Sequence, residues 1–184
     1  MRTNSNWIQT YTGRQFWPTD PRQEDITLED IAHSLALKCR YAGHCLRFYS
    51  VAQHCVMASR LVPEKHALWG LMHDAAEAYL ADIPRPVKQE WLHLRELENK
   101  ILRMVANVYD LPWPEPPCIA VVDLILLATE RRDLMARPPR PWISSERVIP
   151  LLERIKPWDS ERAEEEFLKR FTELVTLPVG AADS

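Results

Sequence analysis

The stretch Ala67-Leu68-Trp69-Gly70-Leu71-Met72-His73-Asp74-Ala75-Ala76-Glu77-Ala78-Tyr79-Leu80-Ala81-Asp82 constrains the fold more than any other. It reads as an apolar helix with an adjacent His-Asp pair in its middle. An ionised carboxylate away from water costs several kcal/mol unless it is paired or coordinated. On a helix, Glu77 follows His73 by four residues and Asp74 by three, so all three can address one side pocket. A fold that buries this helix must bring partners to it from elsewhere in the chain.

At 184 residues the chain suits one domain with a real core, and 46% hydrophobic and 27% charged residues are ordinary for a soluble globular protein. A formal net charge of −3 argues against polymeric nucleic acid or a membrane surface as partner, since both call for a basic excess. Cys39, Cys45, Cys55 and Cys118 form no CxxC pair and sit in apolar surroundings, which reads as reduced thiols of a cytoplasmic protein. Met1 to Asn6 lacks the apolar region of a secretion signal, and no apolar run reaches membrane-spanning length.

The expected fold is all-α, a single domain over residues 1–184 with its core at about 27–135. Residues 7–17 alternate apolar and polar side chains about a Thr-Gly turn and predict a small N-terminal β-hairpin, whose Trp7, Phe16 and Trp17 serve packing. Thr27 followed by Asp30 predicts a helix start, continuing through Ile31 and Leu35 towards Leu37–Cys39, with a break at Gly43. Ser50 is read as the cap of a second helix, Val51 to about Leu61, and Pro63 as the first turn of the third. The prolines at 84 and 86 predict a non-helical stretch over Asp82–Lys88. An amphipathic helix from Leu92 to about Asp110, a stiff proline-rich connector over Leu111–Pro117, and a very apolar helix over Ile119–Glu130 follow. Arg137–Pro141 reads as a loop, Ser160 as the cap of a last helix over about 160–176, and Gly180–Ser184 as a frayed tail.

Three of these helices carry isolated polar groups in apolar surroundings: His54, the His73-Asp74 pair, and Asp123. Taken singly, a buried histidine can be a hydrogen-bonded core residue and a buried aspartate can pair with arginine. Taken together, two imidazoles and two carboxylates make a ligand set for one divalent ion, with Mn²⁺, Fe²⁺, Co²⁺, Zn²⁺ or Mg²⁺ as candidates. Four protein ligands on an octahedral ion leave two positions open, the mark of a catalytic site.

A first His, then His-Asp, then a distant Asp resembles the HD-domain metal-dependent phosphohydrolases. The longer strings that carry the likeness are Arg40-Tyr41-Ala42-Gly43-His44, Phe48-Tyr49-Ser50-Val51-Ala52-Gln53-His54, Met72-His73-Asp74-Ala75-Ala76-Glu77-Ala78-Tyr79, Asp82-Ile83-Pro84-Arg85-Pro86-Val87-Lys88, and the run from Asp123 to Leu134. They look like the compact bacterial and prophage branch related to 5′-deoxyribonucleotidases, over roughly residues 7–135.

The resemblance implies an HD-type helical bundle around one metal held by His54, His73, Asp74 and Asp123. It makes Glu77 the group that handles a proton on the attacking water or leaving group, and Asp82 an acid close to the scissile phosphate. Arg40 and Tyr41 then stand where the related enzymes have an Arg-Trp pair on phosphate and sugar, and His44 is a further candidate phosphate contact. The implied activity is hydrolysis of the 5′-phosphate of deoxyribonucleoside monophosphates, with deoxynucleoside triphosphate triphosphohydrolase as the alternative. A non-catalytic metal- or nucleotide-binding domain is a third reading, and a di-iron oxygenase would need ligands beyond these. The resemblance also implies a homo-oligomer, as a dimer. His66 is expected at the surface, His93 packed among Trp91, Leu94 and Arg95 or facing solvent, Arg131 and Arg132 on a salt-bridged helix face with Glu130 and Asp133, and Arg85 and Lys88 at the mouth of the site or on a solvated loop.

Overall fold

The computed structural model describes residue 2, residues 5–142 and residues 146–176, so the tail expected over Gly180–Ser184 lies outside the described residues. The chain is mostly helical with one small antiparallel sheet, in agreement with the all-α expectation. In that sheet β1 (Ile8–Gln9) lies against β2 (Gln15–Phe16), Ile8 opposite Phe16. Two such strands are marginal alone. Here Phe16 is buried and stacks on Tyr79 at 3.9 Å, while the Thr12 amide and hydroxyl both donate to Asp30. Gly13 supplies the positive φ that the turn requires, at +80°.

Helix α1 (Leu28–Leu37) starts where Thr27 predicts it, with the Thr27 hydroxyl accepting from the Asp30 amide. Its buried face is Ile31, Ala32, Leu35 and Ala36. It ends at Leu37, and Cys39 turns instead into a bridge with Ser50. Helix α2 (Val51–Leu61) is capped by Ser50, whose hydroxyl accepts from the Gln53 amide. It is the most enclosed helix: Val51 to Val56 are all buried, with α1, α3 (Ala67–Met72), α6 (Pro117–Leu134) and α7 (Ser160–Thr176) packed around it.

The third helix departs from expectation. It stops at Met72, and the chain passes through His73 and Asp74 into a 3₁₀ turn over Ala75–Ala78. Neighbouring residues of an unbroken α-helix point about 100° apart. The break at Asp74 (φ −99°, ψ 13°) redirects the backbone so that both side chains of the pair reach one point.

The two prolines are also used differently from expectation. Helix α4 spans Arg85–Glu90, with Pro84 as its N-cap residue and Pro86 in its first turn. Proline is tolerated there because first-turn amides have no intrahelical acceptor. Helix α5 (Leu92–Val108) follows and buries Ile101, Val105 and Ala106. Helix α6 is longer at both ends than Ile119–Glu130 and buries Val122, Leu126 and Glu130 on its inner side.

From α6 to α7 the described chain has no regular element, and side chains tie it down. Asp133 accepts from Arg132, Arg154 and the Ile155 amide, and the buried Gln53 side chain bonds Lys156 O and the Trp158 amide. The cap of α7 is Asp159, whose carboxylate accepts from the Arg162 amide at 2.8 Å, one residue before the expected Ser160. Among the described residues no helix is long and apolar enough to cross a membrane.

Candidate metal centre

Helix α2 carries His54 inward with 0% exposure, the break after α3 presents His73 and Asp74, and α6 contributes Asp123. The Nδ1 atoms of both imidazoles are taken. His73 Nδ1 lies 2.9 Å from the carbonyl of Gly70, which can only accept, so that nitrogen holds the proton. His54 Nδ1 lies 2.7 Å from a carboxylate oxygen of Glu130. Both Nε2 atoms are therefore turned towards the same space, 3.1 Å from each other. Asp74 Oδ2 is 3.6 Å from His54 Nε2 and 3.4 Å from His73 Nε2, and Asp123 Oδ1 is 3.4 Å from His54 Nε2.

Four donor atoms about 2.1 Å from a common centre are separated by roughly 3.0 Å in octahedral and 3.4 Å in tetrahedral geometry. The separations of His54 from His73, Asp74 and Asp123, and of His73 from Asp74, 3.1 to 3.6 Å, suit a shared divalent ion, and two nitrogens with two oxygens suit the metals named above. Cys55 also lies near His73 and Asp74, and burial pushes its thiol well above the usual range. The charges respond to this crowding. Burial and Arg40 press the His54 pKa down, yet Glu130 and Asp123 outweigh them and lift it to about 9. Burial opposes ionisation of Asp74, but His73, His54 and Arg40 hold its carboxyl below the usual range.

A second layer fixes these donors. Glu130, at 0% exposure, accepts from His54 Nδ1, from Arg40 Nε at 3.2 Å and from the Tyr41 hydroxyl at 2.5 Å. Arg40 in turn donates to Asp74 Oδ2 at 3.3 Å. One buried carboxylate thus orients a histidine of the candidate donor set and the arginine beside it. Glu130 was read from sequence as part of a surface ion-pair face. That reading suits Asp133, which pairs with Arg132 and Arg154, and fails for Glu130. Its signal was its place seven residues after Asp123, two helical turns along the same face.

The cluster opens into a cleft of about 830 Å³, within the range of small-molecule sites. Glu77 lines it, buried to 4% exposure, with Oε1 on Lys88 Nζ at 2.8 Å. Its Oε2 is buried without a hydrogen-bond partner among the described residues. Burial, then Asp74 and Asp82, pushes the Glu77 pKa well above the carboxylate range, and Lys88 only partly opposes this. Lys88 is also paired with Glu98 at 2.6 Å. Asp82 lines the cleft and accepts from the Tyr41 amide at 3.2 Å. That bond steadies a strained segment, since Tyr41 and Ala42 hold φ of +57° and +50° ahead of Gly43. Arg85, half exposed, donates to Asp123 Oδ2 at 3.0 Å from the mouth.

The Escherichia coli strain K12 protein YfdR, itself uncharacterized, is 46% identical over 129 residues, which span 70% of this chain and 72% of YfdR. The chain belongs to the YfdR family. An uncharacterized protein of Rhodobacter capsulatus is 37% identical over 91 residues, 45% of this chain and 46% of that protein. No family model matches the chain.

In this member of the YfdR family, His54, His73, Asp74 and Asp123 converge, and Arg40, Tyr41, Glu77 and Asp82 border the same cleft. His44 does not join them: it is exposed on the loop after Gly43, outside the lining. His93 is also outside, exposed beside Glu96, and His66 lies before α3, away from the cleft. Lys88, placed from sequence at the mouth or on a solvated loop, is a partly buried partner of Glu77. The arrangement can hold a cation, bind an anion beside it with arginine, and offer a carboxylate oxygen to a proton.

Proposed function

We propose that this chain is an HD-domain metal-dependent phosphohydrolase that removes the 5′-phosphate of deoxyribonucleoside monophosphates. One observation carries the reading. Metal-suited donors on His54, His73, Asp74 and Asp123 gather beside a cleft that Asp74 and Asp123 line, and whose wall presents a buried carboxylate oxygen, Glu77 Oε2, unpartnered among the described residues. A purely structural metal has no use for that oxygen.

The residues that would hold the ion are His54, His73, Asp74 and Asp123. When bound, a divalent ion there supplies Lewis-acid activation of water and neutralises phosphate charge. Arg40, held by Glu130 and Asp74, places a fixed guanidinium beside the phosphate, a planar donor that lysine cannot copy. Glu77 Oε2 accepts the proton of the attacking water. As the phosphorus–oxygen bond to the 5′-oxygen breaks, the protonated Glu77 returns that proton to the departing 5′-oxygen, which leaves as the nucleoside hydroxyl. Lys88 holds the other Glu77 oxygen and so fixes the direction in which Oε2 points. Asp82 holds the strained Tyr41–Ala42 segment through the Tyr41 amide, next to Arg40. The products are phosphate and a nucleoside.

The test is a panel of deoxyribonucleoside mono- and triphosphates with Mn²⁺, Co²⁺ or Mg²⁺, read for phosphate, longer polyphosphate and nucleoside. Monophosphates are expected to give phosphate and nucleoside. Release of triphosphate from the triphosphates alone would overturn the monophosphate reading, and turnover of neither would overturn the hydrolase.

A further inference from the structure

One part of the cleft has no role in the chemistry above. Tyr41, Ile83, Leu127 and Trp142 line it, and none of the four packs into a hydrophobic cluster among the described residues. Large apolar side chains normally serve a core, and a group of them facing an open cleft instead marks a place for an apolar ligand part. Trp142 is the largest. It stands on the irregular chain after α6, half-buried, its ring centroid 5.9 Å from that of Tyr41 and tilted by 47°. The Tyr41 ring cannot follow a moving partner, because its hydroxyl is held by Glu130.

One residue of the apolar wall, Leu127, stands one helical turn from the Asp123 carboxylate. Leu127 follows Asp123 by four residues on α6, and both line the cleft. Four residues of α-helix advance about 6 Å, which suits the step from a 5′-phosphate across one sugar to its base. The phosphate end is provided for by Arg40 and the donor cluster. The base end needs a flat apolar surface, and aromatic side chains bind bases of any sequence through their faces.

We propose that Trp142 is the stacking platform for the nucleobase and so a specificity-determining residue of the cleft. This rests on the nucleotide hydrolase reading above and extends it to the part of the substrate that does not react. The occupant is an aromatic base joined to a sugar 5′-phosphate, and a bare sugar phosphate gains nothing from the platform.

The experiment uses the full chain loaded with Mn²⁺ and compares 2′-deoxyadenosine 5′-monophosphate with 2-deoxyribose 5-phosphate, which has the same scissile bond and no base. In wild type the nucleotide is expected to have the higher kcat/KM. In Trp142→Ala that preference falls on the order of tenfold, through KM and not kcat, and Trp142→Phe keeps most of it. An unchanged preference, or equal losses on both substrates, would overturn the platform. Calorimetric binding of 2′-deoxyadenosine 5′-monophosphate separates this inference from the reading beneath it. If wild type hydrolyses neither substrate, the hydrolase falls. The platform then stands if Trp142→Ala weakens binding about tenfold, and falls if affinity is unchanged.

Discussion

His54 Nε2 and His73 Nε2 face each other across 3.1 Å, each with its Nδ1 already bonded, one to Glu130 and one to the Gly70 carbonyl. Two imidazole lone pairs at that distance repel unless a cation or a proton lies between them. Without a metal, a proton on His54 would fill that role: Glu130 and Asp123 lift its pKa to about 9 against the push of burial and Arg40.

The pH dependence follows with a definite sign. A histidine pKa raised from 6.5 to about 9 adds stability to the metal-free fold below pH 6.5, and that stability is lost as pH rises through 9. Metal binding must displace the same proton, so metal affinity rises with pH over that window. Titration with Mn²⁺ at pH 7, in buffers of different ionisation enthalpy, should show close to one proton released per metal bound. Binding without proton release would mean that His54 is not a ligand.

Glu130 joins His54, Arg40 and Tyr41 from a fully buried position. Glu130→Gln keeps the shape and removes the charge. Loss of such an outer partner weakens metal affinity about 10- to 100-fold, and leaving Arg40 without its buried carboxylate costs about 3 kcal/mol. Metal titration and urea unfolding read the two effects separately. A variant matching wild type in both would show that Glu130 is incidental.

Glu77→Gln should lower kcat on the order of 10²- to 10⁴-fold while the bound metal stays. Lys88 retains Glu98, so the fold is expected to tolerate the change. Equal loss of metal and activity would place Glu77 in the metal site itself and not beside it.

Gly70 connects packing with chemistry. A Cβ there would lie 2.8 Å from Ser59 Cα and 2.9 Å from Ser59 N, backbone atoms of α2 that cannot move aside. Its carbonyl also accepts from His73. Gly70→Ala is expected to cost about 1–3 kcal/mol of stability and to weaken metal binding, because separating α2 from α3 moves His54 away from His73. Unfolding midpoints alongside metal titration test both, and a stable variant with weakened metal binding would show that the packing cost is absent.

The gathering of His54, His73, Asp74 and Asp123 is legible in the sequence because each interrupts an apolar helix, which is costly unless something compensates it. Thr27 and Ser50 were legible as caps because the capping bond is local and spans three residues. The break at His73 was not. Apart from His73 and Asp74, Met72 to Ala78 holds good helix formers, and no Gly or Pro marks the turn that aims the pair at α2 and α6. Helix α4 was missed by treating Pro84 and Pro86 as breakers when they begin a helix. Glu130 and the Asp82–Tyr41 contact were missed because their partners lie 40 to 90 residues away in the chain, beyond the reach of local pattern.

Metal stoichiometry tests the central reading most directly. Asp123 is 24% exposed and pairs with the half-exposed Arg85, so Asp123→Ala removes a donor without burying an unpaired charge. Wild-type protein equilibrated with Mn²⁺ and desalted should retain one metal per chain by elemental analysis. Asp123→Ala, with wild-type circular dichroism, should retain almost none. A wild-type chain that binds no divalent ion, or a variant that keeps the full equivalent, would contradict the metal centre.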